Sequence, residues 1–183
     1  MGEVTGRTGP IVVMGVAGCG KTTIGRLLAE RLSTLYAEAD DHHPPDNVEK
    51  MARGIPLTDE DRAPWLAAIA RRIAAARATG GLVVSCSALK RSYRDILRNA
   101  DPQILFVHLL IDQARAADRV AVREGHFMPV SLVASQFTAL EPLQADERAV
   151  CVSATQTPER IVAAVLGQLP LVNGSASAAA SHR

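Results

Sequence analysis

The run Gly15-Val16-Ala17-Gly18-Cys19-Gly20-Lys21-Thr22 follows four apolar residues, Ile11 to Met14, and precedes a stretch in which Ile24, Leu27, Leu28 and Leu32 recur at helical spacing. A short apolar strand that passes through glycines at 15, 18 and 20 straight into an amphipathic helix is a strand-loop-helix unit, with the spacing GxxxxGK[ST] of a P-loop. Glycine suits a backbone that must wrap tightly around an anion. The loop N–H groups and the positive end of the following helix, about half a unit charge, favour phosphate there. Residues Gly15, Val16, Ala17, Gly18, Cys19, Gly20, Lys21, Thr22 and Thr23 are therefore the candidate nucleotide cradle. Lys21 is expected to reach the β- and γ-phosphates and Thr22 to offer its hydroxyl to Mg²⁺. A glycine-rich turn with a merely exposed Lys21 is the bland alternative, and the complete motif in this setting speaks against it.

The rest of the chain alternates apolar runs with helical periods, the pattern of an α/β fold whose parallel sheet is covered on both faces. Five strands are predicted, at Ile11 to Met14, Leu35 to Glu38, Leu82 to Ser85, Ile104 to Leu110 and Ala149 to Ser153. A long helix is expected to start at Pro64 and end at Gly80. Others are expected over Arg91 to Asn99, Ala114 to Arg123, Ser131 to Leu140 and Pro158 to Gln168, the last capped by Thr157. One domain is expected over 11–170, with an acceptor-binding segment near 40–64 and a lid near 115–130. A flexible N-terminus of ten residues precedes it, and a Ser/Ala-rich tail over 171–183 is too poor in large apolar side chains to order itself.

A formal charge of +1 argues against the broad basic surface that non-specific nucleic-acid binding needs. No apolar run approaches the ~20 residues of a membrane-spanning helix, and Met1 to Pro10 lacks the apolar segment of a secretory signal. Cys19, Cys86 and Cys151 are scattered without metal or disulfide spacing. A cytoplasmic protein acting on small molecules, free of nucleic acid and membrane, is the expectation.

Phosphate binding alone leaves GTPases, ATPases and switches open. Neither NKxD nor DxxG occurs, which weakens a GTPase. Asp112 ends an apolar run and reads either as a helix cap or as a magnesium-organising acid. Asp40, just past the second strand, lies where ligands bind in an open α/β sheet; it can accept an alcohol proton or cap a turn, and the residues alone leave both open. Arg115, Arg119 and Arg123 recur every four residues, as do Lys90 and Arg94, so each set presents cations along one helix face, whether to a ligand or to solvent. Cys19 is a small residue that the loop tolerates or, less simply, a thiol activated by a helix N-terminus.

Four blocks in order, MGVAGCGKTT, ADDHHPPDNVEKMARGIPLTDEDRAPWL, CSALKRSYRD and REGHFMPVSLVASQF followed by LEPL, resemble the gluconokinase family of small P-loop kinases over roughly Ile11 to Leu143. The resemblance implies a doubly wound five-stranded parallel sheet with a mobile helical lid, similar to shikimate kinase. It also implies transfer of the ATP γ-phosphate to the 6-hydroxyl of D-gluconate, a requirement for Mg²⁺, and a homodimer. Carried over by position, Asp40 handles the acceptor hydroxyl, Arg119 and Arg123 are lid arginines that neutralise the moving phosphoryl group, and Gly125 gives the lid freedom. Lys90 and Arg94 are candidates for the gluconate carboxylate or the transferred phosphate. Arg53, Arg62 and Gln136 are weaker contact candidates. His43 is expected to pack in a polar loop rather than bind zinc, and Trp65 to sit in the core rather than stack on sugar. Ala39 stands where family members often have Gly, and Asp41-His42 replaces a more apolar pair found in some of them, departures that affect the detail of the acceptor loop and leave the ATP reading untouched.

Overall fold

The computed structural model describes residues 9–78, 80–122 and 130–169. Strands β1 (Ile11–Met14), β2 (Leu35–Glu38), β3 (Leu82–Ser85), β4 (Leu105–Leu110) and β5 (Ala149–Ser153) form one sheet in the order β2-β3-β1-β4-β5. Every pairing is parallel. Helices α1 (Lys21–Arg31), α2 (Pro45–Ala52), α3 (Asp59–Ala76), α4 (Arg91–Ala100), α5 (Gln113–Ala121), α6 (Ser131–Ala139) and α7 (Pro158–Leu166) connect and cover it.

The central strand β1 shows why its sequence is apolar throughout. Ile11 and Val13 face a core built with Ile24 and Leu28 of α1, Ala116 and Val120 of α5, and Ile161 and Val165 of α7. Val12 and Met14 face the opposite core, with Trp65, Leu66, Ile69 and Ile73 of α3 and Tyr93 and Leu97 of α4. Alternation by two along a strand buried on both sides requires apolar residues at every position. β2 is an edge strand, and its first residue, Leu35, is correspondingly exposed.

The five strands fall where the sequence places them, except that β4 begins one residue later, at Leu105. The long helix does not start at Pro64. It starts five residues earlier, at Asp59, because Thr58 and Asp61 form a capping box: the Thr58 hydroxyl accepts the Asp61 N–H, and the Asp61 carboxylate accepts the Thr58 N–H. Pro64 lies within the second turn, close enough to the N-terminus for its missing donor to be tolerated. The segment over 40–64 holds more regular structure than a loop, with a 3₁₀ turn over Ala39–His42 followed by α2, which has Pro45 in its first turn. The N-terminal eight residues and the tail over 171–183 lie outside the described residues.

Candidate active site

Strand order reverses around β1, so the loops after β1, β2 and β3 converge at the carboxyl edge of the sheet, where open α/β folds bind ligands. A cavity of about 370 Å³ opens there. The P-loop residues Ala17, Gly18, Gly20, Lys21, Thr22 and Thr23 line one side, and Glu38, Asp40, His43 and Arg62 line another. Arg119, Leu132 and Gln136 close it from α5 and α6. The phosphate loop and the segment over 40–64 thus share one chamber, although they are separate in sequence.

Two glycines of the loop are required for different reasons. Gly18 has φ +81°, and a Cβ there would lie 2.5 Å from the Ala116 carbonyl oxygen, so glycine lets the loop rest on α5. Gly20, at φ +98°, has no neighbour within 4 Å of a would-be Cβ. Its requirement is conformational, and the open space lies on the cavity side of the loop. Lys21 Nζ donates to the Val16 carbonyl oxygen at 3.0 Å, folded back along its own loop. Gln136 is buried, and its Oε1 accepts the Ala17 N–H at 2.7 Å, so the structure uses this predicted contact residue to hold the phosphate loop.

Thr22 donates its hydroxyl hydrogen to Glu38 at 2.8 Å. Tyr36 donates to the same carboxylate oxygen at 2.7 Å and lies 3.0 Å from Ser85 Oγ, which in turn donates to the Lys21 carbonyl oxygen at 2.9 Å. Burial, with Glu38 nearby, pushes the Tyr36 phenol up to about 12, so it is a fixed donor. Thr22 therefore lines the cavity with its hydroxyl tied to a carboxylate that lines it too. Among the described residues no group of three or more His, Cys, Asp or Glu side chains is placed to hold a metal. A Mg²⁺ ion keeps several waters and takes one or two protein ligands besides substrate phosphates, and Thr22 with Glu38 is the pair beside the phosphate loop that could supply them. Glu38 is the site residue that sequence reasoning missed, and its signal was a carboxylate at the carboxyl end of an apolar strand.

Asp40 is half-buried in the 3₁₀ turn, lines the cavity, and its carboxylate receives no hydrogen bond from a described residue. Asp40 belongs to that turn through its backbone, its carbonyl oxygen accepting the His43 N–H at 3.3 Å, while its side chain caps nothing among the described residues. Asp112 does cap: it accepts the Arg115 N–H at 2.9 Å and pairs with the Arg115 guanidinium at 3.3 Å, away from the cavity. Arg119 lies beside the P-loop, donating to the carbonyl oxygens of Ala154 at 3.0 Å and Gly18 at 3.4 Å. Arg123 and Gly125, the remaining lid candidates, lie outside the described residues.

The structure separates the basic acceptor-site candidates. Arg94 is not placed to hold substrate. It is fully buried, donates to both Glu147 oxygens at 2.6 and 3.1 Å, and spends its other N–H groups on the carbonyls of Ala88, Leu89, Glu141 and Pro142. Lys90 binds both Asp59 oxygens at 2.7 and 2.9 Å and does not line the cavity. Arg53 pairs with Glu49 on the exposed surface of α2 and does not line it either. Arg62 does line it. It stacks over the Tyr93 ring at 5.8 Å and has no carboxylate partner among the described residues. Burial raises the Cys19 thiol despite nearby Lys21 and Arg119, which removes the basis for an activated thiol.

A gluconokinase of Gluconobacter oxydans (strain 621H) is 50% identical over 153 residues, covering 83% of this chain and 86% of that protein. The chain belongs to the gluconokinase family. The family model described as shikimate kinase matches residues 17–169. A crystal structure of a gluconokinase from Sinorhizobium meliloti 1021 superposes with a TM-score of 0.79 at 47% identity, covering 88% of this chain and 91% of that one. Shikimate kinase from Aquifex aeolicus, at 14% identity and a TM-score of 0.61 over 86% and 94% of the two chains, shares the fold. Membership makes this chain a P-loop kinase, an enzyme that uses a nucleotide. No described helix is long and apolar enough to cross a membrane.

Proposed function

We propose that the protein transfers the γ-phosphate of Mg-ATP to the 6-hydroxyl of D-gluconate, giving 6-phosphogluconate and ADP. The observation that carries this reading is the shared cavity, in which the phosphate loop faces the Asp40 carboxylate and the Arg62 guanidinium, neither of which has a hydrogen-bond or ion-pair partner among the described residues. A sugar acid needs both: a group to receive or orient the attacking hydroxyl, and a guanidinium to hold its carboxylate in a planar pair of hydrogen bonds.

In this reading, residues 15 to 23 hold the triphosphate, and Lys21 leaves the Val16 carbonyl for the β- and γ-oxygens. Thr22 and Glu38 would hold Mg²⁺, directly or through water, and the cation when bound supplies charge neutralisation at those oxygens. Asp40 orients the 6-hydroxyl and takes its proton. Proton removal is late in a loose transition state, so position counts for more than basicity. Arg119, already against the loop, and Arg123 neutralise the phosphoryl group in transfer. Closure over the site excludes water and suppresses ATP hydrolysis. We place the enzyme in the cytoplasm and take its active form to be a homodimer, for which sedimentation showing only monomer at assay concentration is the contrary result.

The experiment is ADP release by purified protein with Mg-ATP, alone and with gluconate, other sugar acids, shikimate and nucleoside monophosphates, each product identified by mass. Gluconate-dependent release of ADP with 6-phosphogluconate supports the reading. Turnover of another acceptor in its place refutes the substrate.

A further inference from the structure

Among the described residues, His43 Nδ1 is the buried side-chain polar atom that has no hydrogen-bond partner. A buried polar group left unpaired costs about 1–3 kcal/mol, so an instance inside a ligand cavity calls for a reason. The imidazole is held by contacts that need no hydrogen bond. It stacks on Trp65 with centroids 4.4 Å apart and planes 10° from parallel. Trp65 is itself buried, and its indole N–H is fixed to the Ala39 carbonyl oxygen at 2.7 Å. The backbone at His43 is extended, φ −68° and ψ 135°, as the following Pro44 demands. The ring is thus set in place before any ligand arrives.

Burial drives the His43 pKa down to about 4; Asp40 pulls it up and Arg62 pushes it down, and burial dominates. The ring is neutral at physiological pH and carries one proton. A buried N–H without an acceptor is rarer than an unsatisfied lone pair, which assigns the proton to Nε2 rather than Nδ1. Nε2 has no protein partner among the described residues, and since it is not among the inaccessible orphans it is the nitrogen a ligand can reach. His43 lines the cavity together with Asp40 and Arg62.

We propose that His43 is a specificity residue of the acceptor site, whose Nε2–H donates to a hydroxyl oxygen along the carbon chain of a polyhydroxy acid, between the carboxylate end at Arg62 and the reacting end at Asp40. This rests on the functional reading above. A fixed donor in a partly buried site penalises an acid that lacks the matching hydroxyl, because the donor then loses water and gains nothing. It explains how an acceptor site that holds the two ends of its substrate at Arg62 and Asp40 tells a polyol acid from a simpler hydroxy acid.

The test uses His43→Phe, which keeps a flat ring against Trp65 without the donor, and His43→Gln, which restores a donor near Nε2. Gluconate and its monodeoxy analogues are assayed with the wild type and both variants. Wild-type turnover of gluconate is measured first, so a failure of the functional reading is seen there and a failure of this inference only in the variants. His43→Phe is expected to bind ADP normally and to lose about tenfold in kcat/KM for gluconate, chiefly through KM. The analogue lacking the contacted hydroxyl should show no such loss, and His43→Gln should recover part of it. Gluconate kcat/KM within twofold of wild type in His43→Phe, or an equal loss on every analogue, overturns the proposal. Should the variant not fold, nitrogen-15 spectra of the wild type decide: Nε2 must carry the proton and shift when gluconate joins ADP, and a proton on Nδ1 or an unmoved resonance overturns it.

Discussion

Replacing Arg94 with Met separates a structural arginine from a substrate-binding one. The side chain and its partner Glu147 are both at 0% exposure, joined at 2.6 and 3.1 Å, and four backbone carbonyls accept the remaining guanidinium hydrogens. Met restores the volume but strands a buried carboxylate whose remaining hydrogen bond is from the Gln144 N–H. Removing one partner of a buried pair costs about 3–5 kcal/mol. For a chain of this size that is a fall of roughly 6–20 °C in Tm, since 1 kcal/mol corresponds to about 2–4 °C. The loss should depend on pH with a definite sign. In the wild type, burial pushes Glu147 up, but Arg94, the Gln144 N–H and Arg91 together bring it below the usual carboxylate range. The pair therefore stabilises the fold above the unfolded carboxylate pKa, and its contribution is lost as pH falls through the lowered folded value. In Arg94→Met burial is opposed only by the Gln144 N–H and Arg91, Glu147 rises, and the gap between variant and wild type should narrow from pH 7 towards pH 4. Calorimetry across that range is the assay, with gluconate KM measured well below the transition. A variant of wild-type stability with a selectively raised gluconate KM would refute the reasoning and return Arg94 to the substrate site.

Asp40→Asn should lower kcat by two orders of magnitude or more, roughly the span of a positioned acid-base group, while ADP affinity by titration calorimetry stays within a few-fold; normal turnover would refute its role. Arg62→Leu should raise gluconate KM at least tenfold, as loss of a charge-assisted pair worth about 1.5–3 kcal/mol requires, with ATP KM little changed; an unaltered gluconate KM would move the carboxylate elsewhere. Cys19 and Cys86 are buried with thiols pushed up, Cys86 to about 12, so at pH 7.5 an alkylating reagent followed by peptide mass analysis should label exposed Cys151 first; prior labelling of Cys19 would contradict its burial.

Most of the sheet was legible because each strand is a short apolar run ending in a turn, and the P-loop motif ties β1 to a loop and a helix of known sense. Local chemistry that propensity hides was harder to read. Pro64 looks like a helix start, yet the Thr58–Asp61 box begins α3 five residues sooner. At the site, sequence spacing finds cations but not their partners. Spacing of four suggests one helix face for Lys90 and Arg94, but Lys90 is the extended N-cap of α4 and Arg94 lies buried within it, and only the fold shows that one meets Asp59 and the other Glu147, 53 positions away. Arg62, ranked below them on sequence, is the one of these three that lines the cavity, its guanidinium over the Tyr93 ring and without a carboxylate partner among the described residues. Glu38 escaped notice because a strand-end acid carries no motif; its meaning comes from Thr22, 16 residues earlier.

The most direct test of the central claim is acceptor-dependent ADP release with Mg-ATP and D-gluconate, the product resolved by mass and by its phosphate position. Release that requires gluconate and yields one phosphate at the 6-hydroxyl is expected. ADP formed at the same rate with or without gluconate, or phosphate delivered only to a different acceptor, would contradict it.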